Sequence, residues 1–158
     1  MDTRTVMKES RTNVGIGGVL HTGRELHVQK AVDLDEFASY RFDAPLEVNL
    51  RVRRAGRGLD LQGTISGGAA GVCARCLDDV RLPLDIAIEE RFDPPSENDH
   101  PLGESNVLVG DELDLQDLVR QLVDSALPIV LLCDDACTGL CTKCGFKADP
   151  TCRCTPPE

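Results

Sequence analysis

The sequence predicts an α+β fold: an antiparallel β-sheet, one amphipathic helix and a cysteine-rich C-terminal tail. Three observations support this prediction. Apolar and polar residues alternate in stretches between residues 46 and 89, as in strands with one solvated face. Apolar residues recur at helical spacing from 115 to 126, and six cysteines lie within 133–154. Because the strands precede the helix and do not alternate with further helices, we expect an antiparallel sheet and not a βαβ fold.

Composition limits the class of protein. A chain of 158 residues suits one domain with a short appendage. With four Phe, one Tyr and no Trp, the core is expected to consist of Leu, Val, Ile and Ala. No apolar run approaches the roughly 20 residues that span a bilayer, and residues 14–20 are too short and glycine-rich for a signal peptide. We therefore expect a cytoplasmic protein with no membrane partner.

The domain organisation follows changes in composition along the chain. Residues 1–13 are polar and charged and predict a flexible N-terminal arm. Residues 14–132 are assigned to the α+β domain, with an acidic, proline-containing loop at 93–106 that we expect to be disordered. Residues 133–158 form the cysteine-rich tail.

The strands are predicted from period-two alternation. Residues 26–36 are a short mixture of polar and apolar residues with no assigned element. Apolar residues on even numbers from 46 to 53 predict a strand, Gly-Arg-Gly at 56–58 a turn, and alternation at 59–65 the second strand of a hairpin. The glycine-rich stretch 66–71 predicts a break, and 80–89 predicts a third strand.

One amphipathic helix follows the acidic loop. Apolar residues at helical spacing place it between Leu115 and Ala126. Asp114 can cap its N-terminus, and Asp117 lies in the first turn, where negative charge is favourable. Pro128 ends it.

The charge is unevenly distributed. Residues 61–158 hold eighteen Asp or Glu against seven Lys or Arg, a net charge of −11, whereas residues 1–60 have a net charge of +1. An acidic surface is repelled by phosphate backbones, and scarce aromatics disfavour stacking on single-stranded RNA. We therefore expect a basic protein or a protein–RNA particle as partner, with naked RNA bound only weakly. The alternative is that the charge serves only solubility.

One basic cluster stands on the predicted hairpin. Arg51 and Arg53 share a strand face, and two further arginines follow them closely. If the protein contacts RNA directly, we expect the contact here; otherwise the cluster is the solvated side of the hairpin. The four residues are Arg51, Arg53, Arg54 and Arg57.

The eight cysteines fall in two places. Cys73 and Cys76 stand at the predicted break in the sheet, and the other six lie in the tail. Thiolates at i and i+3, followed by Gly145, have the form of a zinc knuckle, because they converge on one ion and the glycine permits a tight turn. We predict a structural zinc site at Cys141, Cys144, Cys152 and Cys154. A second set is proposed at Cys73, Cys76, Cys133 and Cys137; spacing leaves crosswise pairings between the sets open.

Other uses of these cysteines fit the sequence less well. Disulfides require an oxidising compartment, and no targeting segment is recognisable. A thioredoxin-type pair at Cys73 and Cys76 belongs beside a βαβ pattern, whereas here the pair lies between strands. The spacing Cys137-x3-Cys141-x2-Cys144 matches that of a radical-generating iron–sulfur cluster, but that chemistry needs a large barrel around the cluster.

No catalytic arrangement is evident. The glycine clusters at 15–18 and 67–71 lack the Lys-Ser/Thr of a phosphate-binding loop and the spacing of a dinucleotide fingerprint, so we predict flexible turns. His21, His27 and His100 lie outside the cysteine groups. We therefore predict a protein that is not an enzyme and has no small-molecule substrate.

The motif Cys73-Ala74-Arg75-Cys76-Leu77 resembles the Cys-x-Arg-Cys-Leu signature of the YceD family, long catalogued as a domain of unknown function. The resemblance spans about residues 30–154, and the chain departs from it at 146–149, where Phe-Lys-Ala-Asp replaces a frequent Asn-Leu-Asn. Further matching segments follow in order: Glu89-Glu90-Arg91-Phe92, an acidic loop, Asp114-Leu115, Leu127-Pro128 and Cys137-Thr138-Gly139-Leu140-Cys141-Thr142-Lys143-Cys144-Gly145.

The resemblance implies a role in the accumulation of large-subunit (23S) ribosomal RNA in bacteria and plastids. The family's gene often adjoins that of a small ribosomal protein of the large subunit, which implies a ribosomal protein or precursor particle as partner. Some members lack most of the tail, which implies that the tail supports structure. We predict a non-enzymatic ribosome-assembly factor. A zinc- or redox-responsive regulator and an RNA-processing enzyme are the alternatives.

Overall fold

The computed structural model describes residues 12–95 and 106–154. Most of the predicted arm, the middle of the predicted acidic loop and the last four residues lie outside these ranges. The described residues form seven strands and two helices: β1 (Asn13–Gly15), α1 (Gly17–Thr22), β2 (Leu26–Val32), β3 (Leu46–Ala55), β4 (Gly58–Val72), β5 (Asp79–Asp93), β6 (Asn106–Val107), β7 (Glu112–Asp114) and α2 (Leu115–Ala126).

A five-stranded sheet in the order β2-β3-β4-β5-β6 forms the centre of the fold. Its strands are antiparallel except for the short parallel pairing of β5 with β6. The alternation predicted for β3 is confirmed, since Val48, Leu50 and Val52 are buried and the residues between them are exposed. The apolar face of α2 packs into the same core. The predicted α+β class with an antiparallel sheet is therefore correct.

The glycine-rich stretch 66–71 does not break the sheet, contrary to the sequence prediction. It lies inside β4, which pairs with β5 without interruption as far as Val72. The small residues allow close approach: a Cβ on Gly67 would overlap the side chain of Leu46, and one on Gly71 would lie 2.7 Å from Leu131 Cδ2. As a result, β4 continues to the residue before Cys73.

The structure also corrects the N-terminal predictions. Asn13, assigned to the flexible arm, begins β1 and pairs with Asp114 of β7. Residues 15–18 do not form a flexible turn, because they end β1 and begin α1, with Ile16 fully buried between them. The unassigned residues 26–32 are the edge strand β2; partly buried Lys30 interrupts the alternation that would have revealed it.

The predicted helix is confirmed in its bounds and its cap. Asp114 Oδ1 accepts a hydrogen bond of 3.0 Å from the backbone N–H of Asp117, and α2 ends at Ala126. The acidic loop is shorter than predicted, because Asp93 belongs to β5 and Asn106 to β6. Neither described helix has the length and apolar character needed to cross a bilayer.

Candidate metal centres

The sulfur atoms of the eight cysteines form two groups of four. Within each group all Sγ atoms lie within 4.8 Å of one another, and all eight thiols are free. The structure brings together the two sets proposed from the sequence and none of the crosswise pairings. The first site consists of Cys73, Cys76, Cys133 and Cys137, and the second of Cys141, Cys144, Cys152 and Cys154.

The spacing of the sulfurs fits tetrahedral coordination. In the first site, Cys73 Sγ lies 3.8 Å from Cys137 Sγ, and Cys76 Sγ lies 3.6 Å from Cys133 Sγ. In the second site, the Sγ atoms of Cys144 and Cys152 are 3.8 Å apart. A tetrahedral ion with metal–sulfur bonds of about 2.3 Å separates its ligands by about 3.8 Å. Four protein sulfurs fill such a shell, so each set can hold a metal ion with no position left for a substrate.

The first ligand pair of each site is held by the same backbone turn. In the first site, Cys73 N–H donates to Asp78 O (2.9 Å) and Leu77 N–H donates to Cys73 O (3.0 Å). In the second, Cys141 N–H donates to the carbonyl five residues on and Gly145 N–H donates to Cys141 O, at 2.6 and 2.8 Å. The two sites are therefore built on one repeated motif.

The fifth residue of each turn has a left-handed backbone. Gly145 has a φ of 75°, which glycine adopts without strain, and Leu77 has a φ of 64°. A branched side chain in this region costs about 1 kcal/mol or more, and the side chain of Leu77 is 63% exposed. Burial does not offset this cost, and the residue is held in place by the hydrogen-bonded turn that brings Cys73 and Cys76 together. A glycine at this position of the turn was predicted for Gly145, whereas the sequence gives no such signal at Leu77.

Backbone N–H groups stabilise one thiolate in each turn. The N–H of Cys76 is the main cause that lowers the pKa of Cys73 to about 6, and those of Arg75 and Cys133 add to it. The N–H groups of Cys144 and Lys143 likewise lower the pKa of Cys141 to about 6. Both turns therefore favour the thiolate of their first cysteine, which is the form that binds metal.

Four of the other thiols, those of Cys76, Cys133, Cys152 and Cys154, have raised pKa values in the absence of a cation. The N–H of Asp78 favours the thiolate of Cys76, but burial and the neighbouring sulfurs of Cys73 and Cys133 outweigh it and raise its pKa to about 12. The sulfurs of Cys144 and Cys141 are the main causes that raise the pKa of Cys154 to about 12. Because four thiolates at this spacing repel one another, each set is suited to a bound cation.

The first site joins the end of the sheet to the segment that follows α2. Cys73 and Cys76 lie in the β4–β5 connection, and three of its four ligands are buried. Ala74 N–H donates to Leu131 O (2.8 Å), and the Arg75 guanidinium donates to Cys137 O (2.9 Å). Arg75 was not predicted to have this contact, although it is part of the Cys-x-Arg-Cys motif. The tail predicted to begin at residue 133 therefore contributes to the main fold.

Lys147 links the second site to the first. Its Nζ lies 2.8 Å from Asp78 Oδ2 and 3.6 Å from Cys133 Sγ, and its backbone pairs with Leu140 in an isolated bridge. Hydrogen bonding to Asp78 raises the pKa of Lys147, and Lys147 in turn lowers the pKa of Asp78. Four thiolates around a divalent ion carry a net −2, which this ammonium partly offsets. The segment 146–149, which departs from the family pattern, thus supplies a contact between the sites.

The second site is more exposed and more local than the first. Cys144 is exposed and its three companions are half-buried. Asp149 organises the return to the last ligands: its carboxylate accepts from Thr151 N–H (2.8 Å) and its carbonyl from Cys152 N–H (3.0 Å). All four ligands lie within residues 141–154.

The predicted arginine cluster is divided by the strand geometry. Arg51 and Arg53 lie on the solvated face of β3, while Arg54 follows directly and points away from them. Arg51 Nε pairs with Glu25 Oε1 at 3.0 Å, and Arg53 Nη2 lies 3.4 Å from Gln62 Oε1. Arg54 Nε donates to a carbonyl of its own turn, at 3.1 Å. Arg57 lies in that turn, between β3 and β4.

Residues 61–156, which include all eight cysteines, match the family described as "Large ribosomal RNA subunit accumulation protein YceD". Uncharacterised proteins of Mycobacterium bovis and Mycobacterium tuberculosis are 35% identical over 105 residues, covering 65% of this chain and 51% of theirs. One of Mycobacterium leprae is 26% identical over 113 residues, covering 70% and 52%. The chain spans about half the length of the curated relatives it matches. No solved structure matches it significantly.

Proposed function

Because this chain belongs to the YceD family of large ribosomal RNA subunit accumulation proteins, we propose that it is a non-enzymatic factor in the biogenesis of the large ribosomal subunit. It supports the accumulation of 23S ribosomal RNA by binding a basic ribosomal protein or a precursor particle. The family match is the observation that carries this proposal, and the acidic charge of residues 61–158 supports the choice of a basic partner. The role requires no catalytic step.

The metal in both sites is proposed to be zinc. A closed, tetrahedral set of four thiolates is typical of structural zinc, and thiolates favour soft or borderline ions. Within the described residues the two sites share the architecture of zinc knuckles, including the N–H groups that face the sulfurs of Cys73 and Cys141. Each ion would hold chain segments together without taking part in a reaction.

Two zinc ions are expected for each chain prepared under reducing conditions. Removing one ligand from either site, by Cys76→Ser or Cys144→Ser, should lower the content to one, because three thiolates hold the ion much less tightly. Elemental analysis by mass spectrometry measures this directly. Thr142→Ser, in the same turn as Cys144, is the control and should retain both ions. Metal-free wild-type protein, or iron in place of zinc, would contradict the assignment.

Lys147→Met is expected to speed zinc loss from the first site. The change removes the ammonium that faces Asp78 and Cys133, and loss of such an outer partner lowers metal affinity by about 10–100-fold. We expect one of two release phases to become about tenfold faster when a colorimetric chelator is added. Arg153→Gln removes a positive charge between two ligands of the second site and serves as the control. Unchanged release of both ions from Lys147→Met would show that the contact is incidental.

Ribosome profiles test the function itself. Deleting the gene in its host should lower the ratio of large to small subunits and the level of 23S RNA, and the wild-type gene should restore both. Cys76→Ser should fail to restore them, whereas Thr142→Ser should succeed. Normal profiles and normal 23S RNA in the deletion strain, under conditions where the protein is normally made, would refute the proposed role.

A further inference from the structure

A groove lined by both apolar and polar residues lies between the end of β5, the β6–β7 segment and α2. It encloses about 490 Å³, within the roughly 300–1,000 Å³ typical of binding clefts. Phe92, Leu108, Leu113 and Leu118 form its floor. Val107 and Val109 also line it and are 46% and 76% exposed. The groove therefore presents apolar surface to solvent that the described fold does not cover.

Carboxylates surround this groove. Glu112, Asp114 and Asp117 all line it and are exposed. Their hydrogen-bond partners are neutral: Asn13 Nδ2 donates to Glu112, and Gln121 Nε2 donates to Asp117, at 3.0 and 2.7 Å. None of the three forms an ion pair with a Lys, Arg or His in the part of the chain that the structure describes. The rim therefore consists of acidic side chains without a described cationic partner, while the floor is apolar.

The charge of the rim disfavours two possible occupants. The segment 96–105, which joins β5 to β6, carries three carboxylates and no Lys or Arg, so the rim would repel it. A second copy of the chain would bring a net charge of −10. A segment with both Lys or Arg and apolar side chains satisfies rim and floor together, because the cations face the carboxylates and the apolar side chains leave water.

We propose that this groove is the docking site for a basic, partly apolar segment of a large-subunit ribosomal protein. The inference rests on the proposed function for the source of the segment and on the groove itself for its chemistry. Contact with the apolar floor supplies most of the binding affinity. The carboxylates of the rim select a basic segment and increase its association rate. Neither metal site takes part, so the sites stabilise the fold and the groove recognises the partner.

A synthetic peptide of alternating lysine and leucine is the probe for a titration of zinc-loaded, isotope-labelled protein. The expected methyl shifts are confined to Val107, Leu108, Val109, Leu113 and Leu118. A second peptide, with serine in place of every leucine and the same charge, should bind about tenfold more weakly. Wild-type affinities are compared at low and near-physiological salt, since the charge contribution falls as screening rises.

Variants separate the groove from the general charge of the protein. The double change Glu112→Gln and Asp117→Asn keeps both hydrogen-bond acceptors and should weaken binding of the lysine–leucine peptide about tenfold. Val109→Ser, at a residue that is 76% exposed, should weaken it several-fold without affecting folding. The control, Glu47→Gln with Glu89→Gln, makes the same change in charge on the solvated sheet face and should bind like wild type. Equal weakening by the control, or shifts spread over the acidic surface, would overturn the proposal.

A parallel binding experiment with purified large-subunit ribosomal proteins distinguishes the two proposals. If wild type binds one of them and the groove variants bind it equally well, the docking site is wrong and the proposed function stands. If wild type binds neither these proteins nor precursor particles, yet the peptide still enters the groove, the proposed function is wrong and only the chemistry of the groove is supported. Loss of protein binding in the groove variants alone supports both.

Discussion

A chain with Cys76→Ser is expected to lose its cooperative fold under conditions in which the wild-type protein is fully folded. Cys76 and Cys133 are 57 residues apart in sequence, and Cys73 and Cys137 are 64 apart. A cross-link that closes a loop of this length restricts the unfolded chain by about 4 kcal/mol, which is a large part of the stability of a small domain. The buried sulfurs of the first site would also be left without their cation.

Cys144→Ser is the matched comparison for this prediction. Its site closes a loop of 8 residues between Cys144 and Cys152, for which the same relation gives about 2.5 kcal/mol. Its ligands are also more exposed, so we expect local loosening of the tail and an intact sheet. Urea unfolding with excess zinc and a non-chelating reductant, followed by circular dichroism, measures both variants. A Cys76→Ser midpoint equal to that of wild type would show that the first site does not hold the fold together.

Naked large-subunit RNA is expected to bind at least a hundredfold more weakly than a basic large-subunit protein at near-physiological salt. Residues 61–158 carry most of the negative charge, and a divalent ion held by four thiolates would add a net −2 at each site. Of the arginines that could attract phosphate, Arg51 is already paired with Glu25, and Arg54 lies on the other face of its strand from Arg51 and Arg53. A few phosphate contacts give weak binding that falls steeply with salt.

Direct titration of the zinc-loaded protein with each partner, by fluorescence anisotropy, tests this expectation. For the basic protein, association should be faster at low salt and slower as screening rises. The opposite result would be sub-micromolar binding to RNA alone that disappears when the hairpin arginines are changed to Glu. The protein would then bind RNA through one local patch despite its overall charge. The residues to change are Arg51, Arg53, Arg54 and Arg57.

The sequence predicted those parts of the fold in which one local pattern decides the structure. The alternation of β3, the apolar face of α2 and the Asp114 cap all follow from spacing within a few residues. The predictions failed where a distant contact decides. Glycines at 67 and 71 looked like a break in the sheet, but they accommodate Leu46 and Leu131 from other segments. No local rule distinguishes a glycine in a turn from one that admits a neighbouring side chain.

The sequence predicted some features of the metal centres and not others. The i, i+3 spacing and Gly145 indicated the second site, because its ligands are close in sequence. The division of the eight cysteines into two sets depends on the path of the chain after α2, because this path brings Cys133 and Cys137 to the β4–β5 turn. The spacing of the cysteines in the sequence could not determine that path. Contacts of the outer shell were missed for the same reason. Arg75 and Lys147 reach Cys137 O and Asp78 across the fold, and neither has a sequence neighbour that predicts its partner.

The separation of the ligands in sequence sets the order in which a newly made chain can take up metal. The second site needs only residues 141–154, so a tail without any other folded structure can capture an ion, as zinc-finger peptides do. The first site needs the β4–β5 turn and the segment after α2 in place together. During synthesis, Cys73 and Cys76 are therefore made well before Cys133 and Cys137, the other two ligands of the first site. An ion in the second site would show only that the tail has been made, whereas an ion in the first site would require the sheet and the segment after α2 to have come together.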